Sequence, residues 1–527
     1  MTAATPQLAA RGTLVTAALI TVAITVSGSG LGLIRDVLLA RFFGAGGATD
    51  AFLVAWTVPE TAFCLVVEGA MSLVMVPLFS RTLAQQGSVR DLVAATLPRV
   101  TVALLIASAA VLLGAPLLVR AVAPGLADPA LAVTCTRLTA ITVLGFGIAG
   151  YLSAALRAHH VFAAPAAIHL AYNAGIIGLM WTLHGRIGVV SAAAGVALGG
   201  VLMVLVQLPS FVRHVGLPHP LRVGLPHPRR WLRGAARPAG TLALGAVAPV
   251  VVYTLGRQSQ VYVERFLGSG LPAGAISHLN YAQKLTQLPM LVALLVCTVT
   301  FPTLARCVAA GDLAGARRRF AADLRLVTVL ILLGSAYLFV FAPAVVQCLL
   351  ERGAFGAADT TSVAAIVRVS AVGLLGHAMV GVAIRPYFAD GGRAWLPAAA
   401  VGVGVAVNAV VAALTVAHLG AAGIAAGNGI GITTAAVLLL IGLRRRDLAV
   451  PLRETASTTA RALLAAGVAA GAGWLAGRLL ADLGSTVVSV AGGVVVLGTF
   501  AVVARLVGFD EIGALVPELK RRVRRAP

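Results

Sequence analysis

The sequence predicts an all-α integral membrane protein of about fourteen transmembrane helices, built as two six-helix lobes followed by two further helices. Three observations predict it. Of 527 residues, 59% are hydrophobic and only 11% are charged, and the mean hydropathy is +0.96; soluble domains carry roughly 25% charged residues. The apolar residues form runs along the whole chain, long enough to cross a ~30 Å hydrocarbon core, which takes ~20 helical residues. The runs are continuous and rich in Ala, Leu, Val and Gly. A membrane barrel would instead alternate apolar and polar residues over ~10-residue segments.

The expected spans lie near 14–42, 50–80, 94–122, 134–157, 162–184, 188–212, 239–267, 274–309, 321–350, 362–388, 395–417, 420–443, 458–480 and 485–507. They divide the chain into a first lobe over 1–212, a basic linker over 213–238, a second lobe over 239–443, a pair of helices within 444–507 and a basic tail over 508–527. A faint internal echo supports two similar lobes: VPLFSR at 76–81 ends the second span and FPTLAR at 301–306 ends the eighth. Several spans are interrupted by Gly, Pro or polar residues, which is tolerated at membrane depth only where protein or water satisfies the freed backbone groups.

The net charge of +22 sits mostly in loops and the tail, as the positive-inside rule expects of a membrane protein, and does not imply nucleic acid. One set of loops carries Arg81, Arg90, Arg157, the run from Arg213 to Arg237, Arg306, Arg317 to Arg319 and Arg444 to Arg446; the tail adds Lys520, Arg521, Arg522, Arg524 and Arg525. The alternate loops carry Asp50, Asp128, Asp359 and Asp482. This places the first set and both termini in the cytoplasm. The linker repeats VGLPHP at 215–220 and 223–228; His219 and His227 read as part of a solvated linker before a metal pair. The five isolated cysteines show no ligand spacing, so neither a disulfide framework nor a metal site is expected.

An ionisable residue at the bilayer centre costs ~2.5–3.5 kcal/mol on insertion scales, so each one marks a functional hypothesis. Four clusters stand out. The first span carries Gly28-Ser29-Gly30, which allows a bend, then Arg35 and Asp36. Thr57, Thr61, Cys64, Glu68 and Ser72 in the second span fall at steps of three and four, on one helical face. Arg257, Gln260 and Glu264 share a face of the seventh span, and Asn280, Lys284 and Gln287 a face of the eighth. Such stripes also glue helices together. His169, Tyr172, Asn173 and His377 read as hydrogen-bonded helix contacts. No catalytic constellation or nucleotide-binding loop is present in the sequence, so a transporter is expected and an enzyme is not; no cofactor is expected.

The run LGLIRDVLLARFFGAGGATDAFLVAWTVPE at 31–60 resembles the opening signature of the MurJ/MviN lipid II flippases, within the multidrug/oligosaccharidyl-lipid/polysaccharide exporter superfamily. EGAMSLVMVP (68–77), APGLAD (123–128), ERFLGSGLPAGAISHLNYAQKLTQLP (264–289), LLERGAF (349–355) and RPYFADGGRAWLP (385–397) are similar too. The resemblance implies two lobes around a central cavity, with the last two helices forming a groove for a lipid tail. It implies alternating-access transport of a polyprenyl-pyrophosphate-linked peptidoglycan precursor from the inner to the outer leaflet of a bacterial cytoplasmic membrane. Arg35 and Asp36 match the family's pair in the first helix, Glu68 its acidic residue in the second, and Lys284 falls where a cavity Arg is usual. With Arg257 these form the expected substrate-binding set, and Asp50 the expected gate. The implied partners are the lipid-linked substrate, membrane lipids and cell-wall synthesis proteins.

The chain departs from the family at Ser29, Phe63 and Cys64, where many members place cations. Arg35, Arg257 and Lys284 then face Asp36, Glu68 and Glu264, a roughly balanced set. That favours as alternative an ion-coupled exporter of another glycolipid or amphipathic metabolite. A second alternative is a non-transporting scaffold that recruits cell-wall enzymes through its basic segments.

Overall fold

The computed structural model describes residues 6–85, 88–216, 239–389, 395–444 and 452–508. The repeated segment with His219 and His227, most of the linker and the basic tail lie outside the described residues. Those described are helical almost throughout, since a helix satisfies its backbone within its own segment where no water is available. Among them, twelve helices are long and apolar enough to cross a membrane. Two further long helices, Ala239–Gly268 and Ala275–Ala309, are expected spans outside that set. Both carry charges in mid-helix, Arg257 in the one and Lys284 in the other.

The chain divides into two compact units, residues 1–277 and 278–527. The first holds α1 (Pro6–Phe43), α2 (Gly47–Phe63), a π-helical segment (Cys64–Met75), α3 (Val76–Ala84), α4 (Val89–Val122), α5 (Pro129–Ala158), α6 (Ala163–Ala166), α7 (Ile168–Ile187), α8 (Val190–His214) and α9 (Ala239–Gly268). Helix α5 is its pillar and packs against α2, the π segment, α4 and α8. Small residues let these backbones meet, the usual means of helix association in lipid. A Cβ on Gly145 of α5 would lie 2.8 Å from the Gly200 carbonyl oxygen of α8. Nearer the α3 end, Phe79 meets Tyr151 edge-on at 5.4 Å, and Tyr151 pairs its hydroxyl with Thr96 Oγ1 at 2.6 Å.

One expectation changes here. Helix α1 runs on through the glycines at 28 and 30, and Gly28 also serves close approach, since a Cβ there would lie 2.9 Å from His169 Cβ of α7. The second span is not one α-helix: Cys64–Met75 is wound as π-helix. Steps of three and four keep a face only while hydrogen bonds run i to i+4; with i to i+5 bonding they fall short of a turn, and the stripe from Thr57 to Ser72 drifts around the axis. Glu68 sits in this segment, and its side chain lies outside those described.

Helix α9, assigned by the sequence pattern to the second lobe, packs in the first unit against α2 and the π segment. The second unit takes up most of α10 (Ala275–Ala309), then α11 (Leu313–Leu350), α12 (Ala357–Ala383), α13 (Arg385–Ala389), α14 (Trp395–Leu419), α15 (Ala421–Arg444), α16 (Leu452–Leu479) and α17 (Ser485–Leu506). Helices α14 and α15 form a tight hairpin turned at Gly420, φ +55°. A Cβ on Gly404 would stand 2.7 Å from the Gly431 carbonyl oxygen across it. Helices α16 and α17 pack on each other and on α11, where the Phe341 ring lies against Gly473, Gly477 and Gly492. Their outer faces expose Leu464, Leu475, Val490 and Leu497, as hydrocarbon contact requires.

Candidate functional site

The charged groups of the first unit form three assemblies. In the first, Arg35 on α1 is 8% exposed and Asp36 4%. Arg35 donates from Nε (2.9 Å) and Nη2 (2.7 Å) to Asp36 Oδ1, and from Nη1 to Asn173 Oδ1 at 3.0 Å. Its guanidinium lies 4.3 Å over the Trp56 ring, a cation–π contact. Trp56 Nε1 donates to Tyr172 Oη at 2.9 Å, and Asn173 Nδ2 donates to the carbonyl oxygens of Gly28 and His169. Adjacent opposite charges thus satisfy each other, and α2 and α7 supply the rest. Arg35 is held on three sides, a paired cation before any substrate arrives.

The second assembly is built on Asp50, 4% exposed in the first turn of α2. Its carboxylate accepts the Gly274 N–H at 2.6 Å, the Ser277 N–H at 2.7 Å and the Ser277 hydroxyl at 2.5 Å. A carboxylate is favoured at a helix N-terminus; here it also staples the turn after α9 onto the start of α2. Gly274, at φ +99°, takes a left-handed turn there. Alongside, the Gly125 N–H donates to Ser269 Oγ at 3.2 Å.

The third assembly ties α9 to α2. Arg265 is 3% exposed; its Nε donates to Thr57 Oγ1 at 3.3 Å and its Nη1 to the Ile276 carbonyl at 3.4 Å. Glu264, Glu60 and Asp50 are the carboxylates that act on its charge. Tyr262 donates to Thr61 Oγ1 at 3.0 Å. The expected stripe along α9 divides by depth: Gln260 and Glu264 are buried, while Arg257 is exposed and hydrogen-bonds Tyr253. Arg265 escaped the sequence reading because it stands beside Glu264 near the helix end, where a basic residue is ordinary. The signal available was that Arg265 lies inside ERFLGSGLPAGAISHLNYAQKLTQLP, a string that resembles the family.

In the second unit, Lys284 on α10 is half-buried and makes no hydrogen bond or ion pair among the described residues. One turn earlier Asn280 is 5% exposed, with its Nδ2 unpartnered among them; Gln287 is exposed. At the head of α10, His278 Nε2 meets Asp359 Oδ1 at 2.9 Å. His377 pairs with Asn428 Oδ1 at 3.0 Å, the helix contact expected of it. Among the described residues no three His, Cys, Asp or Glu side chains gather as metal ligands.

Long apolar helices, packed through glycines and with paired charges buried among them, define a polytopic α-helical membrane protein. Residues 39–495 match the family model described as lipid II flippase MurJ. The lipid II flippase MurJ of Burkholderia cenocepacia is 30% identical over 442 residues, covering 81% of this chain and 84% of that protein. A probable lipid II flippase MurJ of Rhizobium tropici is 29% identical over 95% of this chain and 96% of that protein. The chain belongs to the MurJ family, whose members are transporters rather than enzymes. A solved lipid II flippase MurJ in an inward closed conformation shares the fold, with a TM-score of 0.77 at 19% identity over 94% of this chain and 100% of that one. An inward-facing multidrug resistance MATE family transporter of the MOP superfamily follows it less closely, with a TM-score of 0.66 at 15% identity, over 82% of this chain and 98% of that one.

Proposed function

We propose that this chain is a flippase for lipid II, the polyprenyl-pyrophosphate-linked peptidoglycan precursor, carrying it from the inner to the outer leaflet by alternating access. The family match over residues 39–495 carries this reading. The chain works as a multi-pass protein of the bacterial cytoplasmic membrane with both termini inside, and its partners are the lipid-linked substrate and membrane lipids. Cell-wall synthesis proteins are further proposed partners. Helices α16 and α17 form the groove for the lipid tail.

Pyrophosphate binding needs charge-assisted hydrogen bonds from Lys or Arg. Lys284 supplies the lead contact, because an ammonium has three donors and none is taken up by a described residue. Arg257, exposed on α9, is the second contact. Arg35 joins them when the substrate phosphates replace Asp36 Oδ1 as its acceptor, and Asp36 and Glu68 then balance charge when the path is empty. Asp50 is the gate: opening the path on its side means releasing the turn that its three hydrogen bonds hold.

The test is rescue of a strain depleted of its own lipid II flippase. The wild-type chain restores growth and Lys284→Ala, at equal membrane abundance, does not. Full rescue by Lys284→Ala ends the role given to Lys284, and failure of the wild-type chain moves the reading to its alternative. That alternative, export of another amphipathic glycolipid or metabolite, is favoured by one observation: Ser29, Phe63 and Cys64 stand where many family members have cations.

A further inference from the structure

The second unit contains a groove unconnected with the charges discussed so far. It lies between α11, α12 and α15, has a volume of about 800 Å³, and is walled by Phe339, Val372, Ile430 and Val437 with Arg368 among them. That volume falls in the ~300–1,000 Å³ range of small-molecule sites. Its rim is apolar and open: Val372 is 73% exposed, and Phe339, Ile430 and Val437 about half. Exposed apolar side chains of this kind on membrane spans suit contact with lipid chains.

Arg368 is the anomaly. It lies near the middle of α12, about 16 Å along the axis from the helix start at a rise of ~1.5 Å per residue. Among the described residues its guanidinium makes one hydrogen bond, from Nε to the Phe339 carbonyl at 3.2 Å. Its Nη groups find no acceptor there. The threonines on the wall do not serve it, since Thr433 and Thr434 donate to the Gly429 and Ile430 carbonyls of their own helix. Helical side chains tilt toward the helix start, which for Arg368 is the nearer end of α12. With a helix of 27 residues spanning ~40 Å against a ~30 Å core, the Arg368 Cα lies roughly 11 Å inside the core edge, and its long stem shortens the distance to a phosphate drawn in from the headgroup layer.

We propose that this groove binds one anionic glycerophospholipid, its phosphate on the Arg368 guanidinium and an acyl chain along Phe339, Val372 and Val437. The charge argument fixes the class: a guanidinium with free donors in an apolar wall is satisfied by a phosphate that brings its own hydrocarbon, and phosphate takes paired donors from Arg. The groove is on α11, α12 and α15, so its lipid is a resident of the surface, distinct from the cargo.

The experiment uses the full-length chain in detergent, stripped of lipid and titrated with phosphatidylglycerol, phosphatidylcholine or inorganic phosphate. Binding is read by native mass spectrometry and thermal unfolding. The wild-type chain retains phosphatidylglycerol and gains melting temperature, with phosphatidylcholine and inorganic phosphate without effect. Arg368→Leu raises the half-saturating phosphatidylglycerol concentration by roughly tenfold or more, the scale of a hydrogen bond to a charged group. Val372→Trp, an exposed position that leaves the helix contacts alone, fills the groove and abolishes retention. Equal retention of the two lipids by the wild-type chain overturns the proposal, and so does phosphatidylglycerol retention unchanged in both variants. Stabilisation by inorganic phosphate to the same extent overturns the lipid and leaves only an anion site.

Discussion

The two units use their membrane-embedded cations differently. In the first, Arg35 and Arg265 are almost fully buried and committed: Arg35 to Asp36, Asn173 and the Trp56 face, Arg265 to Thr57 and the Ile276 carbonyl. In the second, Lys284 and Arg368 keep donors that no described residue takes up. A cation placed in a low-dielectric setting is stabilised either by the protein or by a ligand. The first unit therefore satisfies Arg35 and Arg265 through its own helices before any cargo arrives, and the second leaves Lys284 and Arg368 with donors for something that arrives. Removing Arg35 or Arg265 should cost stability, and removing Lys284 or Arg368 should cost binding or transport.

The largest stability effect is expected at Arg35. Arg35→Ala leaves the Asp36 carboxylate buried without its partner, and breaking a buried pair costs about 3–5 kcal/mol. Unfolding in detergent followed by tryptophan fluorescence should show that loss, with a shift beyond that of any cation removed from the second unit. If Arg35→Ala unfolds like the wild-type chain, the contrast between units fails. Asp50→Ala comes next, at about 3 kcal/mol, because it strands the Gly274 and Ser277 donors; proteolysis within 269–277 should accelerate as the turn is released. A smaller effect, about 1–2 kcal/mol, is expected for Gly404→Ala, whose new methyl meets the Gly431 carbonyl across the α14–α15 hairpin. Gly402→Ala, two residues away with open space around it, should be neutral or slightly stabilising. Melting temperatures of the two glycine variants decide whether close approach or helix propensity governs this hairpin.

Much of the fold could be read before any coordinates, because a bilayer leaves few options. Hydropathy alone placed the helices, and α4, α8, α15 and α17 begin or end within a few residues of the expected spans. The Arg35–Asp36 pair was equally legible, since opposite charges in adjacent positions have an obvious way to satisfy each other. The winding of Cys64–Met75 was not, because a π-helix shares its composition with an α-helix and differs only in which carbonyl each N–H chooses. Grouping failed at α9 for a related reason: a long linker suggests a boundary, but the contacts of Tyr262 and Arg265 with α2 lie far apart in sequence. Arg265 and Arg368 went unmarked because each is a single charge, one hidden near a helix end and one isolated in an apolar run. The charge clusters drew attention to stripes, and stripes were the wrong shape for either residue.

The central claim, a lipid II flippase that contacts its cargo through Lys284, is tested most directly in proteoliposomes carrying labelled lipid II on one leaflet. The account predicts that the wild-type chain moves the label to the opposite leaflet. It predicts that Lys284→Ala moves it no faster than empty liposomes while melting at the wild-type temperature, because Lys284 holds nothing together among the described residues. Translocation by Lys284→Ala at the wild-type rate would contradict the assigned contact, and no translocation by the folded wild-type chain would contradict the function itself.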